Sequence, residues 1–111
     1  MINHVSIGVR DIATTKRFYD AALKPLGYGK GTVTLWIAAA EHPVPPDQKS
    51  GLHFCFDAPT RKSVAAFHAG ALGAGGEDNG KPGLRADYGP KYYAAFAIDP
   101  DGYRIEAYYG K

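Results

Sequence analysis

Three residues in this chain are of types that bind metal ions and are spaced as a set: His4, His53 and Glu106. His4 lies in the run Ile2-Asn3-His4-Val5-Ser6-Ile7-Gly8-Val9, which alternates cleanly. Val5, Ile7 and Val9 share one face of the predicted strand, and His4, Ser6 and Gly8 the other. His53 lies in a second predicted strand, Leu52-His53-Phe54-Cys55-Phe56, with Leu52, Phe54 and Phe56 inward and His53 and Cys55 opposite. Glu106 sits mid-strand in the last hairpin, where a carboxylate is out of place unless something binds it. There Ile105, Ala107 and Tyr109 point one way, and Arg104, Glu106 and Tyr108 the other. Two imidazoles and one carboxylate facing one cavity form the 2-His-1-carboxylate set that holds Fe(II) or a similar divalent ion with positions left free. The same donors suit Zn, Mn, Ni and Co. Such an ion polarises a substrate oxygen or acidifies bound water.

Each residue taken singly has an ordinary reading. A lone strand histidine is usually hydrogen-bonded in the core or at the surface, and a lone strand glutamate usually pairs with a cation, for which Arg104 stands two residues away. Cys55 shares the face of His53 and borders the expected site, although a small buried thiol is the commoner case. Trp36, Tyr93, Tyr103 and Tyr108 are candidate lining residues for a substrate, against the plain alternative of aromatic core. Arg85, in the loop Gly83-Leu84-Arg85-Ala86-Asp87, is a candidate to bind a substrate carboxylate bidentately, against the alternative of a solvated arginine. His68 reads as helix packing and His42 as an exposed linker residue. No nucleophile with its base, phosphate-binding glycine loop or base-stacking surface is evident.

The elements that must position the set repeat. After the first strand, Asp11 offers a helix N-cap, Phe18, Tyr19, Ala22, Leu23 and Leu26 fall at helical spacing, and Gly27 supplies the stop. Residues 32–37 read as a strand and residues 41–47, rich in proline, as a linker. Then Thr60 caps a second helix with Val64, Phe67, Ala71 and Leu72 on its apolar stripe. Residues 80–89 read as a loop with a short strand possible over 84–87. The chain closes on two apolar runs around Asp99-Pro100-Asp101-Gly102, a strong hairpin signal. Adding 49 to His4, Phe18, Ala22, Leu23 and Gly27 gives His53, Phe67, Ala71, Leu72 and Gly76. Five coincidences at one offset imply an internal duplication. The predicted fold is therefore α+β: two βαβββ modules, over about 1–45 and 50–111, within a single domain spanning 1–111. The first module is short of strands. Only 23 residues separate Gly27 from Gly51, whereas 35 follow Gly76; either the module is truncated or a segment near Tyr28-Gly29 is missing, and the second is the reading favoured here.

Length and composition bound the rest. A chain of 111 residues buries ~65% of its unfolded surface on folding, and 45% hydrophobic with 22% charged residues describes an ordinary globular protein. A net charge of +2 without a Lys/Arg cluster argues against nucleic acid. No apolar run approaches the ~20 residues of a membrane span, and no signal peptide opens the chain. The single cysteine permits no intrachain disulfide, which suits the cytoplasm.

The stretches INHVSIGVRDIATTKRFYDAALKPLGY and YYAAFAIDPDGYRIEAYYG, with the His53 strand between them, resemble the vicinal oxygen chelate superfamily, the glyoxalase/bleomycin-resistance/extradiol-dioxygenase group. The resemblance implies paired modules forming a half-open barrel around a divalent metal, ligands from His4, His53 and Glu106, and a homodimer. Glyoxalase I enzymes carry a fourth ligand, a glutamate on the last strand of the first module; here Trp36 stands at that place, and an indole cannot bind an ion. The three-ligand set is closer to that of extradiol dioxygenases, which have more modules, and the nearest likeness is to small single-domain glyoxalase-like proteins. The implied function is a divalent-metal-dependent lyase, isomerase or dioxygenase, with Glu106 catalytic, acting on a small molecule that chelates through adjacent oxygens. The alternative is a metal-free small-molecule binding protein of the bleomycin-resistance type.

Overall fold

The computed structural model describes residues 3–28, 35–41, 43 and 49–111. Its elements are strand β1 (Val5–Val9), helix α1 (Ile12–Leu23) with a 3-10 turn over Lys24–Leu26, strand β2 (Leu35–Ala39), strand β3 (Phe54–Asp57), helix α2 (Arg61–Gly73), and strands β4 (Glu77–Leu84), β5 (Tyr93–Ile98) and β6 (Arg104–Tyr109). Both helices begin where the sequence supplies a cap. Asp11 accepts from the Ala13 amide, and Thr60 and Ser63 form a reciprocal capping box. After the 3-10 turn that prolongs α1, the chain leaves through Gly27 at φ 85°, a left-handed position that glycine adopts without a Cβ clash.

The duplication is visible in strand pairing. β1 and β2 run parallel, with Val5 beside Leu35 and Ser6 beside Trp36. β3 and β6 run parallel in the same way, with Phe54 beside Ile105 and Cys55 beside Glu106. The second module adds antiparallel β5 and β4, giving the order β3-β6-β5-β4. Among the described residues the first module has no counterpart of β4 and β5, so it is a two-stranded sheet, and no closed barrel forms. The expected strand over 32–37 is described only from Leu35, and it continues to Ala39. Residues 29–31 beside the suspected missing segment, most of the expected linker and His42 lie outside the described residues.

Three expectations are corrected. The region after α2 is not a loop over 80–89 with a strand at 84–87: the strand runs over Glu77–Leu84, and the turn follows it. Glycine and proline are common in β4 because it is a sheet edge, where Pro82 removes no needed ladder bond. Leu52 is 62% exposed and precedes β3 rather than packing inward. Leu72 lies on the rim of the α2 stripe, exposed, whereas Val64, Phe67 and Ala71 are buried.

One apolar cluster runs through both modules, from Ile7, Val9, Phe18 and Ala22 to Phe56, Val64, Phe67, Ala95 and Ile105. The helices approach closely at Gly70, where a Cβ would stand 2.4 Å from the Ala21 carbonyl oxygen. A polar latch backs this packing. The two aspartates of the β5–β6 turn reach into the first module: Asp101 accepts from the Arg10 backbone and guanidinium and from Thr15, and Asp99 accepts from the Tyr19 hydroxyl at 2.6 Å. Tyr103 donates its hydroxyl to the Gly8 carbonyl. No helix among the described residues is long and apolar enough to cross a membrane.

The latch makes a pH prediction. Burial, followed by the Asp99 charge and hydrogen bond, pushes the Tyr19 phenol far above its ordinary value. A folded chain that holds this proton more tightly than the unfolded chain keeps the contribution below the unfolded value of ~10 and loses it as pH rises further. Stability, read as the urea midpoint, should therefore fall steeply above pH ~10. Tyr19→Phe should flatten that limb while costing about 1–3 kcal/mol at neutral pH, because Asp99 loses a buried donor. An unchanged alkaline slope in the variant would exclude Tyr19 as the responsible group.

Candidate functional site

Helix α2 covers one face of the four-stranded sheet, and the other face carries the site. In the parallel β3–β6 ladder Cys55 lies beside Glu106, and in the antiparallel β5–β6 ladder Phe96 lies opposite it. Glu106 is 2% exposed although it faces away from the core. Its Oε2 meets the His53 Nε2 at 2.9 Å, and its Oε1 accepts from the Tyr92 hydroxyl at 2.6 Å. The Cys55 side chain stands beside the same carboxylate in the ladder, and burial, then the Glu106 charge, pushes its thiol up to about 12. Burial first, and then the hydrogen bond to Glu106, raises the Tyr92 phenol as well. Cys55 is therefore protonated at neutral pH and no nucleophile. Neither hydrogen-bond partner is a permanent cation, so a nearly buried carboxylate is held by an imidazole and a phenol. A buried carboxylate so placed is costly unless a positive charge joins it.

Aromatic rings build the surroundings. The Phe96 ring stands edge-on to His53 with centroids 6.4 Å apart, and Tyr92 packs on Tyr108 at 4.3 Å and on Tyr88 at 5.3 Å. The Arg85 guanidinium lies over Phe96, 5.4 Å from the ring centre. A cleft of about 390 Å³ opens between the β1 end of the first module and the edge strand β3, lined by Asn3, Val5, Leu35, His53 and Cys55 among others.

The sequence candidates divide accordingly. The structure brings His53, Glu106, Tyr108 and Arg85 to one face. His4 stands elsewhere: it is exposed, its Nδ1 is 2.8 Å from the Asn3 side-chain oxygen, and its ring lies 6.3 Å from Trp36, itself 56% exposed. Among the described residues no group of three or more His, Cys, Asp or Glu side chains is close enough to hold one ion. Tyr103 is core, 8% exposed and tied to Gly8, and Tyr93 packs against the core beneath the Arg61 guanidinium. Arg104 lies opposite Ile98, lining a separate pocket with Glu77 and Asp99 rather than pairing with Glu106. Tyr92 and Phe96 were not singled out by sequence. The alternation in β5 places Phe96 beside Glu106 once the hairpin register is known, whereas Tyr92 precedes the strand and has no signal of its own.

The strand registers also locate the departure in the first module. Ser6 beside Trp36 and Cys55 beside Glu106 are the same ladder step, 49 residues apart on the first strand, so Trp36 is the structural counterpart of Glu106. His4 against Trp36 thus repeats His53 against Glu106, with an indole in place of the acid.

No family model matches the sequence, and no curated protein does. Solved structures do. A glyoxalase/bleomycin resistance protein from Albidiferax ferrireducens is 31% identical, with 97% of each chain covered and a TM-score of 0.82. A putative glyoxalase from Bacillus halodurans is 25% identical, with 97% of this chain and 94% of that one covered and a TM-score of 0.66. The fosfomycin resistance protein FosX from Listeria monocytogenes shares the fold at 13% identity, with a TM-score of 0.73 over 100% of this chain and 93% of its own. By this likeness over nearly its whole length, the chain belongs to the glyoxalase/bleomycin resistance protein family of the vicinal oxygen chelate superfamily.

Proposed function

We propose that the chain is a divalent-metal-dependent enzyme of the glyoxalase/dioxygenase type that acts on a small oxygen-chelating molecule, as a homodimer. The observation that supports this most is the meeting of the His53 Nε2 and Glu106 Oε2 at 2.9 Å, with the carboxylate almost fully buried. These two atoms are of the right types to be neighbouring ligands of one ion. Tyr92 holds the other carboxylate oxygen and so fixes its orientation, as outer partners of metal ligands do. His4 does not join them within one chain, so the set fits an ion only if the partner subunit's His4 completes it. The open face bearing His53 and Phe96, and the exposed Trp36 beside His4, are surfaces that such a pairing would cover.

His53, Glu106 and the partner subunit's His4 would hold the ion, which when bound polarises a substrate oxygen. The chain's own groups do the rest. Phe96 and Tyr108 wall the face. Glu106, buried and held by Tyr92, is the group placed to take a proton from a bound molecule and return it, with the Cys55 thiol and Tyr92 hydroxyl adjusting to its charge.

A second reading is a metal-free small-molecule binding protein of the bleomycin-resistance type. It is favoured by the His53 and Tyr92 contacts that Glu106 already makes without an ion and by the aromatic lining of the face. Elemental analysis with a solution mass measurement, after gentle purification, separates the two. Roughly one divalent ion per chain in a dimer supports the enzyme. A metal-free protein that also takes up no added zinc supports the binding protein.

A further inference from the structure

β4 departs from regular pairing beside Arg85. Its pairing with β5 shifts register between Asp78 and Gly80, and again between Gly80 and Gly83. At Gly80 a side chain is excluded by the Phe96 ring, and at Gly83 it would crowd the arginine. A Cβ on Gly80 would stand 2.8 Å from the Phe96 ring and 3.3 Å from an Arg85 guanidinium nitrogen, and a Cβ on Gly83 would stand 3.1 Å from the other. The two glycines thus leave a trough in which the guanidinium lies back over Phe96, on the face that carries Glu106. The neck of the following loop sets its base. The Arg85 amide donates to the carbonyl of Tyr92, the residue whose hydroxyl holds Glu106. One guanidinium N–H goes to the Lys81 carbonyl at 2.6 Å, and no carboxylate among the described residues pairs with the group. A guanidinium has five donors in a planar fork. The 5.4 Å leg to Phe96 and the 6.4 Å leg from Phe96 to His53 bound the separation of guanidinium and imidazole at about 12 Å.

We propose that Arg85, laid over Phe96 by the shifted glycines of β4, is a subsite for the oxyanion of the small molecule bound at Glu106. The substrate class is then a small organic acid, whose carboxylate or phosphonate takes the guanidinium fork while its other oxygens reach the His53–Glu106 end. This rests on the reading of that end as the reactive site, but not on the ion. The fork geometry suits a planar carboxylate bidentately and a tetrahedral oxyanion equally well in charge.

The test is calorimetric titration of the full chain, zinc-treated and chelator-treated, with 2-oxobutyrate, its methyl ester and methylphosphonate. The expected result is that 2-oxobutyrate binds at least tenfold more tightly than the ester, and that Arg85→Gln abolishes the difference. Gly83→Ala, which keeps the charge but crowds the trough, should reduce it several-fold; a melting curve for each variant shows that it is folded. Competition by methylphosphonate that also needs Arg85 would extend the class to phosphonates, and its absence would restrict it to carboxylates. Equal affinity for acid and ester in the natural chain, or a preference that survives Arg85→Gln, overturns the proposal. Zinc uptake by Arg85→Gln should match the natural chain. Acid preference without zinc uptake would sink the metal reading alone, and zinc uptake without acid preference would sink the subsite alone.

Discussion

Glu106→Gln should lower divalent-metal affinity by at least ~100-fold, about 2.8 kcal/mol, and abolish turnover with it. The amide is nearly isosteric and can still accept from Tyr92, so the variant removes the charge and little else. Zinc should raise the melting temperature of the natural chain and leave that of the variant unchanged. Without metal the variant should be no less stable than the natural chain, because a costly buried charge has gone. The neighbouring thiol gives a readout that needs no metal. Burial is the first cause of the high Cys55 value of about 12, and the Glu106 charge is the second. Neutralising that charge should therefore bring the thiol part of the way down, and its alkylation should become faster at mildly alkaline pH, where only thiolate reacts. Undiminished zinc uptake by the variant would remove Glu106 from the ligand set. Unchanged thiol reactivity would contradict the 106–55 contact itself.

Phe67→Ala should cost about 3–5 kcal/mol, a large share of the ~5–15 kcal/mol that keeps a domain of this size folded. Phe67 has no exposed surface and lies on α2, which packs on α1 and on β4, β5 and β6, in the cluster shared by Phe18, Val9 and Ile105. Leu72, five residues on, is 39% exposed, and Leu72→Ala should stay below about 1 kcal/mol. Both residues lie on the stripe expected from helical spacing, so the pair tests whether burial or periodicity decides. A urea titration that finds the two costs equal would show that the core is not packed as described.

Both variants touch features that could be read from residue order, and they mark how far that reading goes. The 49-residue step between His4 and His53 predicted two like modules, and the strand registers reproduce it, down to Trp36 standing in the place of Glu106. The faces of β6, the caps at Asp11 and Thr60 and the turn at Asp99-Pro100-Asp101-Gly102 followed from periodicity and local chemistry. These are short-range matters, set by side-chain alternation, hydrogen bonds a few residues long and the conformational freedom of glycine. β4 escaped because glycine and proline speak against a strand in general, and only an edge position with two register shifts makes them acceptable.

The chemistry of the face was decided at longer range. That Tyr92 rather than Arg104 serves Glu106, that Tyr103 is core, that Arg85 folds back over Phe96 and that Asp99 and Asp101 latch the modules are all contacts between residues with no pattern linking them. Residue order by itself determined the module, its repetition and the direction in which His53 and Glu106 point, because those depend on repeats of two and 3.6 residues. Only the tertiary structure decided which of the chosen residues meet, since convergence depends on how sheets pack and which surfaces remain open. On that ground it set His53 against Glu106 and left His4 with Asn3 and Trp36.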